Sequence, residues 1–209
     1  MSQVHVATHP LVQHKLAMLR CRSTGPKEFR ELMNEVSLLL AYEVTRDVAV
    51  EKVEVETPLG VTGGFRLAEE KIAAIPILRA GLGMLGGVLS LIPTAAVGHI
   101  GVYRDEATLK PVEYYCKLPA RIDKRELIVL DPMLATGGSA VAALSYIKNR
   151  GARTIRFMCL IAAPEGLRNL EHHHKDVPIF TGAVDERLDS RGFIFPGLGD
   201  AGDRLYGTE

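Results

Sequence analysis

One stretch of this chain combines an acidic residue with a glycine-rich turn and is well suited to chemistry. It reads LIVLDPMLATGGSA and covers residues 127–140. Its apolar half predicts a buried strand that ends at Asp131, and Thr136-Gly137-Gly138-Ser139 predict the start of a helix. Backbone amides that glycine leaves accessible, hydroxyl groups and the positive end of a helix dipole all favour phosphate. We therefore predict a phosphate-binding loop here.

Two features of this loop indicate which phosphate it binds. The nucleoside-triphosphate pattern G-x-x-x-x-G-K-[ST], with its lysine, does not occur here, which favours a terminal monophosphate. A carboxylate beside such a pocket accepts hydrogen bonds from sugar hydroxyls, so Asp131 indicates a phosphorylated ribose. A structural alternative stays open, in which the loop only caps a helix and Asp131 is a turn residue.

A second glycine-rich turn competes for the same interpretation. Gly81, Gly83 and Gly86 spell G-x-G-x-x-G, and Asp105 follows about 20 residues on, as in dinucleotide sites. A nicotinamide-dependent enzyme is thus an alternative, although it leaves the loop after Asp131 unexplained. Arg79 precedes this turn and needs an anion, which is either a structural salt-bridge partner or a ligand phosphate.

Apolar strands and helices alternate around these turns. The pattern predicts an α/β fold with a mostly parallel central sheet flanked by helices. Ligands of such sheets bind beyond the carboxyl ends of the strands, where both turns fall. Predicted strands cover 71–81, 94–105, 127–133, 154–163 and 177–185, and predicted helices cover 82–92, 137–151 and 164–174.

Flanking segments complete a single predicted domain over residues 1–209. A helical arm of about 1–50 is expected to supply packing or a subunit interface, with helical pattern over 10–46. In its second helix Pro26 suits the first position, with Thr24 or Gly25 as cap. The polar segment 104–126 predicts a flexible β-hairpin lid, and 53–60 a short exposed strand and turn. The apolar stripe of that second helix is Phe29, Leu32, Met33, Val36, Leu39 and Leu40.

Composition excludes several classes of function. Lys+Arg and Asp+Glu are both 25, so no basic excess predicts nucleic-acid binding. Three cysteines without a C-x-x-C pair predict neither a zinc site nor a disulfide framework. The start lacks a signal-peptide pattern, so a cytoplasmic location is expected. The uncharged run 80–98 is long enough for a membrane span, but Pro93-Thr94 favours a break between a helix and a strand.

The motifs together carry a family resemblance. VLDPMLATGGSA resembles the phosphoribosyl-diphosphate (PRPP) signature of type I phosphoribosyltransferases, and more closely that of the uracil branch. PILRAGLGM (76–84), GVYRDE (101–106), PEGL (164–167) and FPGLGDAGDRLYGT (195–208) extend the similarity from about Pro26 to the C-terminus. The wider superfamily usually has two adjacent acids, whereas Asp131 here is followed by Pro132. This form is that of the uracil branch and leaves one acid for the ribose hydroxyls.

The resemblance implies an activity and a set of partners. The reaction would be transfer of the phosphoribosyl group from PRPP to uracil, giving UMP and diphosphate in pyrimidine salvage. Mg²⁺ would arrive with PRPP, near Asp200, with no direct protein ligand assigned. The resemblance also implies a homodimer or homotetramer and activation by GTP, with no nucleic-acid or membrane partner. A regulator that keeps the fold and binds PRPP as a signal is an alternative.

The resemblance also assigns roles to residues. Arg104 and Asp200 would be catalytic, and residues 185–209 would form a hood over the base. Uracil would be bound by the backbone of Ile194, Gly199, Asp200 and Ala201. PRPP would be bound by Arg79, Arg104, Asp131, Pro132, Met133, Leu134, Ala135, Thr136, Gly137, Gly138, Ser139 and Asp200.

Overall fold

A computed structural model of the chain describes residues 3–67, 71–104 and 111–208. Its centre is a sheet in which the described strands follow the order β1-β11-β10-β8-β4-β6-β7, with β5 beside β4 and β9 beside β10. All of these pairs are parallel except β6 with β7, so the predicted mostly parallel sheet is confirmed. The strands are β1 Val4–Val6, β4 Ile72–Leu78, β5 Ala96–Val97, β6 His99–Arg104, β7 Pro111–Lys117, β8 Glu126–Leu130, β9 Met133–Leu134, β10 Thr154–Ala162 and β11 Ile179–Val184.

Helices cover both faces of this sheet, because its central strands are apolar on both sides. In β8, Ile128 and Leu130 join one hydrophobic cluster, while Leu127 and Val129 join the other, as the two-residue period of a strand requires. The first cluster receives α1, α2, α3 and α6, and the second receives α4 and α5. The helices are α1 Pro10–Arg20, α2 Pro26–Val44, α3 Leu82–Leu91, α4 Gly138–Asn149, α5 Pro164–His173 and α6 Ala201–Tyr206.

The N-terminal segment packs directly onto the sheet. α2 begins at Pro26, and its N-cap is Gly25, which is one of the two residues predicted for that position. Five of the six stripe residues are buried, but Leu39 is only partly buried, so the predicted stripe is too wide by one residue. The strand β1, which pairs with β11 at the sheet edge, was not predicted because three residues carry too little pattern.

The uncharged run 80–98 divides between two elements. α3 ends at Leu91 and β5 begins at Ala96, so the predicted break at Pro93-Thr94 is observed. Within the described part of the chain, no helix is both long and apolar enough to cross a membrane.

Two antiparallel strand pairs precede β8 in the described part of the chain. β2 Val50–Thr57 and β3 Gly60–Leu67 form a separate antiparallel sheet, where the sequence predicted only one strand and a turn. β3 was missed because glycines, which disfavour strands, occupy three of its eight positions. β6 and β7 form the second hairpin at the sheet edge. Residues 105–110 of the predicted lid, including Asp105, lie outside the described residues.

Candidate active site

Three segments converge beyond the carboxyl ends of β4 and β8. They are the turn 79–86, the phosphate loop 131–139, and the hood. The turn 79–86 lies directly against the start of the phosphate loop: a Cβ on Gly81 would overlap the carbonyl oxygen of Leu130, the residue before Asp131. Tyr206 in the hood donates a hydrogen bond of 3.0 Å to the carbonyl of Arg79. A Cβ on Gly192 would lie 3.8 Å from Cγ2 of Thr136, which places the hood beside the phosphate loop.

The phosphate loop encloses a small cavity at the start of α4. The cavity measures about 100 Å³ and is lined by residues 131 and 133–140. Gly137 adopts a φ of 79°, a left-handed conformation that favours glycine, and α4 begins at the next residue. Pro132 does not line the cavity; it is buried, and its carbonyl accepts a 3.0 Å hydrogen bond from the N–H of Leu160. This cavity suits one terminal phosphate.

Asp131 has an unusual electrostatic environment at the entrance to this loop. Burial raises the pKa of its carboxyl group to about 7, and a hydrogen bond from the backbone of Met133 lowers it in part. A carboxylate shielded from water with one backbone hydrogen bond is costly to ionise, so the group gains when hydroxyl donors reach it. Ribose hydroxyls are donors of this kind.

The turn 79–86 uses its glycines for packing. A Cβ on Gly83 would overlap the Met33 side chain, and one on Gly86 would overlap the side chain of Asn34. Its neighbour Gly87 meets the main chain of α2 even more closely. α2 therefore fills the space beside Gly83, Gly86 and Gly87, the side from which a ligand would otherwise approach these glycines.

Arg79 remains available to a ligand at the start of that turn. Its side chain is exposed, and its Cζ lies 5.8 Å from the ring centroid of Tyr206. Among the described residues, no carboxylate lies within ion-pair distance of it. The structural salt bridge considered from the sequence is therefore not observed in that part of the chain. The peptide bond between Leu78 and Arg79 is cis.

Arg104 ends β6, two strands away from β8, and its side chain is not described. β6 pairs with β4 through Leu78 and Gly101, so Arg104 follows the carboxyl end of β4 in space. This position puts the two predicted diphosphate-binding arginines on neighbouring strand ends.

The hood presents main-chain donors near the turn 79–86. Gly199 and Asp200 are exposed, whereas Ile194 and Ala201 are buried. No hydrogen bond of the described residues uses the N–H groups of residues 199–201. The carboxylate of Asp200 caps α6 by accepting 2.9 Å from the N–H of Asp203. The N–H groups of residues 199–201 are thus available to a ligand, whereas the carbonyl of Asp200 already accepts 3.1 Å from the N–H of Arg204.

Sequence reasoning missed the residues that support the phosphate loop. Asn169 in α5 donates a 2.8 Å hydrogen bond from its amide nitrogen to the carbonyl of Thr136. Gly166 lets α5 approach the carbonyls of Leu134 and Ala135. The segment PEGL drew attention only through the family resemblance, and Asn169 lies two residues beyond it.

A larger cavity of about 740 Å³ lies at the opposite ends of the strands, between β1, the start of β10 and the end of α2. Two of its arginines, Arg46 and Arg156, already pair with Glu43 and Asp47. Ligands of open parallel sheets bind beyond the carboxyl ends of the strands, whereas this cavity lies at their amino ends. Size alone therefore does not identify the active site.

The architecture has counterparts among solved structures. A purine phosphoribosyltransferase from Pyrococcus horikoshii superposes with a TM-score of 0.52 at 15% identity, covering 74% of this chain and 84% of that one. A protein from Aquifex aeolicus gives a TM-score of 0.93 at 42% identity, covering 99% of both chains. Both superpositions show the class of fold, an α/β domain with a mostly parallel central sheet.

Sequence comparisons identify the branch. The family model for uracil phosphoribosyltransferase matches residues 6–208. This chain is 60% identical to a protein named uracil phosphoribosyltransferase from Desulfitobacterium hafniense, and 62% identical to one from Symbiobacterium thermophilum. Each match covers the full length of both chains. The chain belongs to the uracil phosphoribosyltransferase family, and the resemblance inferred from the motifs is confirmed.

Proposed function

We propose that the chain transfers the phosphoribosyl group of PRPP to uracil at the convergence of the turn 79–86, the phosphate loop and the hood. The products are UMP and diphosphate, and the reaction is a salvage step. The observation that carries this assignment is a cavity of about 100 Å³ at the start of α4, with the carboxyl group of Asp131 in its lining. The exposed cation of Arg79 and the unused amides of the hood lie next to it.

Each residue group has one task in this proposal. Residues 133–139 hold the 5-phosphate, and Asp131 accepts hydrogen bonds from the ribose hydroxyls. Arg79 and Arg104 bind the diphosphate, and the backbone of Ile194, Gly199, Asp200 and Ala201 binds uracil. A site built for the alternating donors and acceptors of uracil rejects cytosine, because mismatched buried polar groups stay unpaired.

The chemistry requires charge stabilisation and alignment. As the bond at the anomeric carbon breaks, the ribose gains oxocarbenium character and negative charge moves to the departing diphosphate. Arg79 and Arg104, which lie at neighbouring strand ends, stabilise that charge, and the hood holds the base nitrogen on the side of attack. No covalent nucleophile is needed. In this proposal Asp200 lies between the base and PRPP and is catalytic, a role that its exposed position in the hood supports.

Mg²⁺ fits this site as an ion that arrives with PRPP. In the described part of the chain, no group of three or more His, Cys, Asp or Glu side chains is arranged to hold a metal. Mg²⁺ commonly binds through substrate phosphates and one or two carboxylates, and Asp131 and Asp200 offer such oxygens. When bound, the ion neutralises charge on the diphosphate.

Assembly into a homodimer or homotetramer is part of the proposal. The separate β2–β3 hairpin exposes large apolar side chains, with Leu59 100%, Phe65 71% and Val61 69% exposed. Apolar patches of this kind mark interaction surfaces. Light scattering during size exclusion should show an oligomer, and replacing Phe65 with Glu should shift it toward the monomer.

Three further expectations stay predictions. Closure of the segment 104–126 would exclude water that otherwise hydrolyses PRPP. GTP activation has no binding site assigned to it in this chain. The cytoplasmic location rests on the sequence pattern alone.

Incubation with PRPP, Mg²⁺ and each free base, with chromatography of the products, tests the activity. We expect UMP from uracil and no nucleotide from cytosine or the purines. PRPP binding without product would favour the regulator, and binding of a nicotinamide dinucleotide instead of PRPP would favour the dehydrogenase alternative.

A further inference from the structure

We propose that Arg20, Asp185 and Arg204 are positioning residues that set the place of the base-binding backbone, and we call them the hood latch. The inference rests on the proposed function and adds to it. Arg20 ends α1, Asp185 follows β11, and Arg204 lies in α6, so the latch joins segments far apart in the chain. The geometry points to control of uracil binding by groups that do not touch uracil.

The first half of the latch is a partly buried ion pair. Both terminal nitrogens of Arg20 bond the carboxylate of Asp185, at 2.7 and 2.6 Å, and the Asp185 side chain is only 5% exposed. Asp185 also accepts 2.9 Å from the N–H of Gly197, and Arg20 donates 2.8 Å to the Gly197 carbonyl. Both main-chain groups of Gly197 are therefore held by one charged pair.

The second half of the latch holds the next residue. One nitrogen of Arg204 donates 2.8 Å to the carbonyl of Leu198 and also bonds the carbonyl of Leu19. Its other terminal nitrogen donates to Cys21 and Thr24 in the connection between α1 and α2, at 2.7 and 3.3 Å. The guanidinium thus ties the hood to the end of α1.

The two anchored residues directly precede the proposed base-binding backbone. Gly197 has a φ of 64°, and a Cβ there would overlap the carbonyl of Ile194, so the turn has little freedom. Gly199–Ala201 follow at once. Main-chain recognition depends on where the chain lies, and a displacement of about 1 Å is enough to reduce catalysis strongly. Losing the latch should therefore weaken uracil binding more than PRPP binding.

Arg156 provides a matched control. It too is mostly buried, at 11% exposed, pairs with Asp47 and Glu126, and bonds the carbonyl of Val44. It lies near the amino end of β10, whereas the hood lies beyond the carboxyl ends of the strands. Arg156→Lys should lower stability to a similar degree without contacting the site.

The test compares Arg20→Lys, Asp185→Asn and Arg204→Lys with wild type and Arg156→Lys in the full-length protein. Steady-state kinetics give KM for uracil and for PRPP, and thermal melting gives stability. Because a charge-assisted hydrogen bond contributes about 1.5–3 kcal/mol, we expect the KM for uracil to rise about tenfold or more in each latch variant. The KM for PRPP should stay within about twofold, and Arg20→Lys with Asp185→Asn should be non-additive.

Parallel changes in both KM values, or unchanged kinetics with a lowered melting temperature as in Arg156→Lys, would overturn the latch and leave a structural role. The guanidinium of Arg204 bonds the carbonyl of Leu198 and makes no hydrogen bond to Asp185 or Gly197, so Arg204→Lys gives an independent result if an Asp185 variant does not fold. A wild-type protein that makes no UMP contradicts the proposed function itself, which separates that failure from failure of the latch.

Discussion

The turn after β4 and the loop after β8 look alike in sequence and differ in use. Each follows a buried parallel strand, is rich in glycine and opens a helix. Around Gly83, Gly86 and Gly87, α2 and its side chains fill the space that the missing Cβ atoms leave. Around residues 133–139 the space stays open as a cavity.

This difference shows that a glycine-rich pattern predicts a close approach to the backbone, but does not indicate whether a helix or a ligand makes that approach. In the first turn the approaching group is a helix, and the proposed ligand contact falls to Arg79, which precedes the glycines. In the second the approaching group is the proposed phosphate. Four substitutions, in these two turns and in residues next to them, distinguish a packing role from a ligand-binding role.

The largest effect is expected at Arg79. Arg79→Ala should lower kcat by about 10²–10³-fold, because it removes a cation aimed at the leaving diphosphate. Melting temperature should hardly change, since no ion pair of the described residues is lost. Arg153→Ala, an exposed arginine at the amino end of β10, is the control. Normal turnover in Arg79→Ala would assign the first turn to packing alone.

Gly87→Ala should act on folding. Its Cβ would overlap the carbonyl oxygen of Asn34 and the amide nitrogen of Leu38, so α2 must shift, at a cost of about 2 kcal/mol or more. Chemical denaturation measures the loss, and Gly63→Ala, with open space around it, is the control. A stable variant that instead loses PRPP binding would make this turn a ligand site.

Asp131→Asn should raise the KM for PRPP about tenfold at pH 8, because the charged acceptor is lost. Since burial raises the pKa of Asp131 to about 7, the free enzyme carries the carboxylate above that pH and loses it below. The wild-type kcat/KM for PRPP should therefore fall as pH drops through 7.

The Asn variant supplies the control for that profile, because any remaining pH dependence belongs to PRPP. Its ligand-free form should melt no lower than wild type at pH 8, where the buried wild-type carboxylate is ionised and destabilising. An identical profile in both proteins would remove the ribose role of Asp131.

The smallest effect is expected at Asn169. Asn169→Ala removes the hydrogen bond to the Thr136 carbonyl, so the KM for PRPP should rise about threefold, with the KM for uracil unchanged. Arg168→Ala, its exposed neighbour on α5, should leave both values unchanged. Equal increases in both would mean that α5 supports the whole site instead of the phosphate loop.

Local pattern predicted much of the fold. The buried strands Ile72–Leu78 and Glu126–Leu130 and the helix from Pro26 were predicted because their apolar period and their proline are local signals. β1 and β3 were not, since one is only three residues long and the other is rich in glycine. Their strand character comes from pairing with β11 and β2.

The sequence by itself determined the α/β class, the family and the loop with its acid at Asp131, because these depend on residue types at short spacing. Only the tertiary structure decided that the glycines after Arg79 pack against α2. It alone also placed Arg20, at the end of α1, against Gly197 in the hood, 177 residues away. It likewise placed Arg204, in the hood, against Leu19 in α1, 185 residues away. Contacts between residues so distant in the chain leave no local pattern, and the folded chain creates them by bringing strand ends and helix ends together.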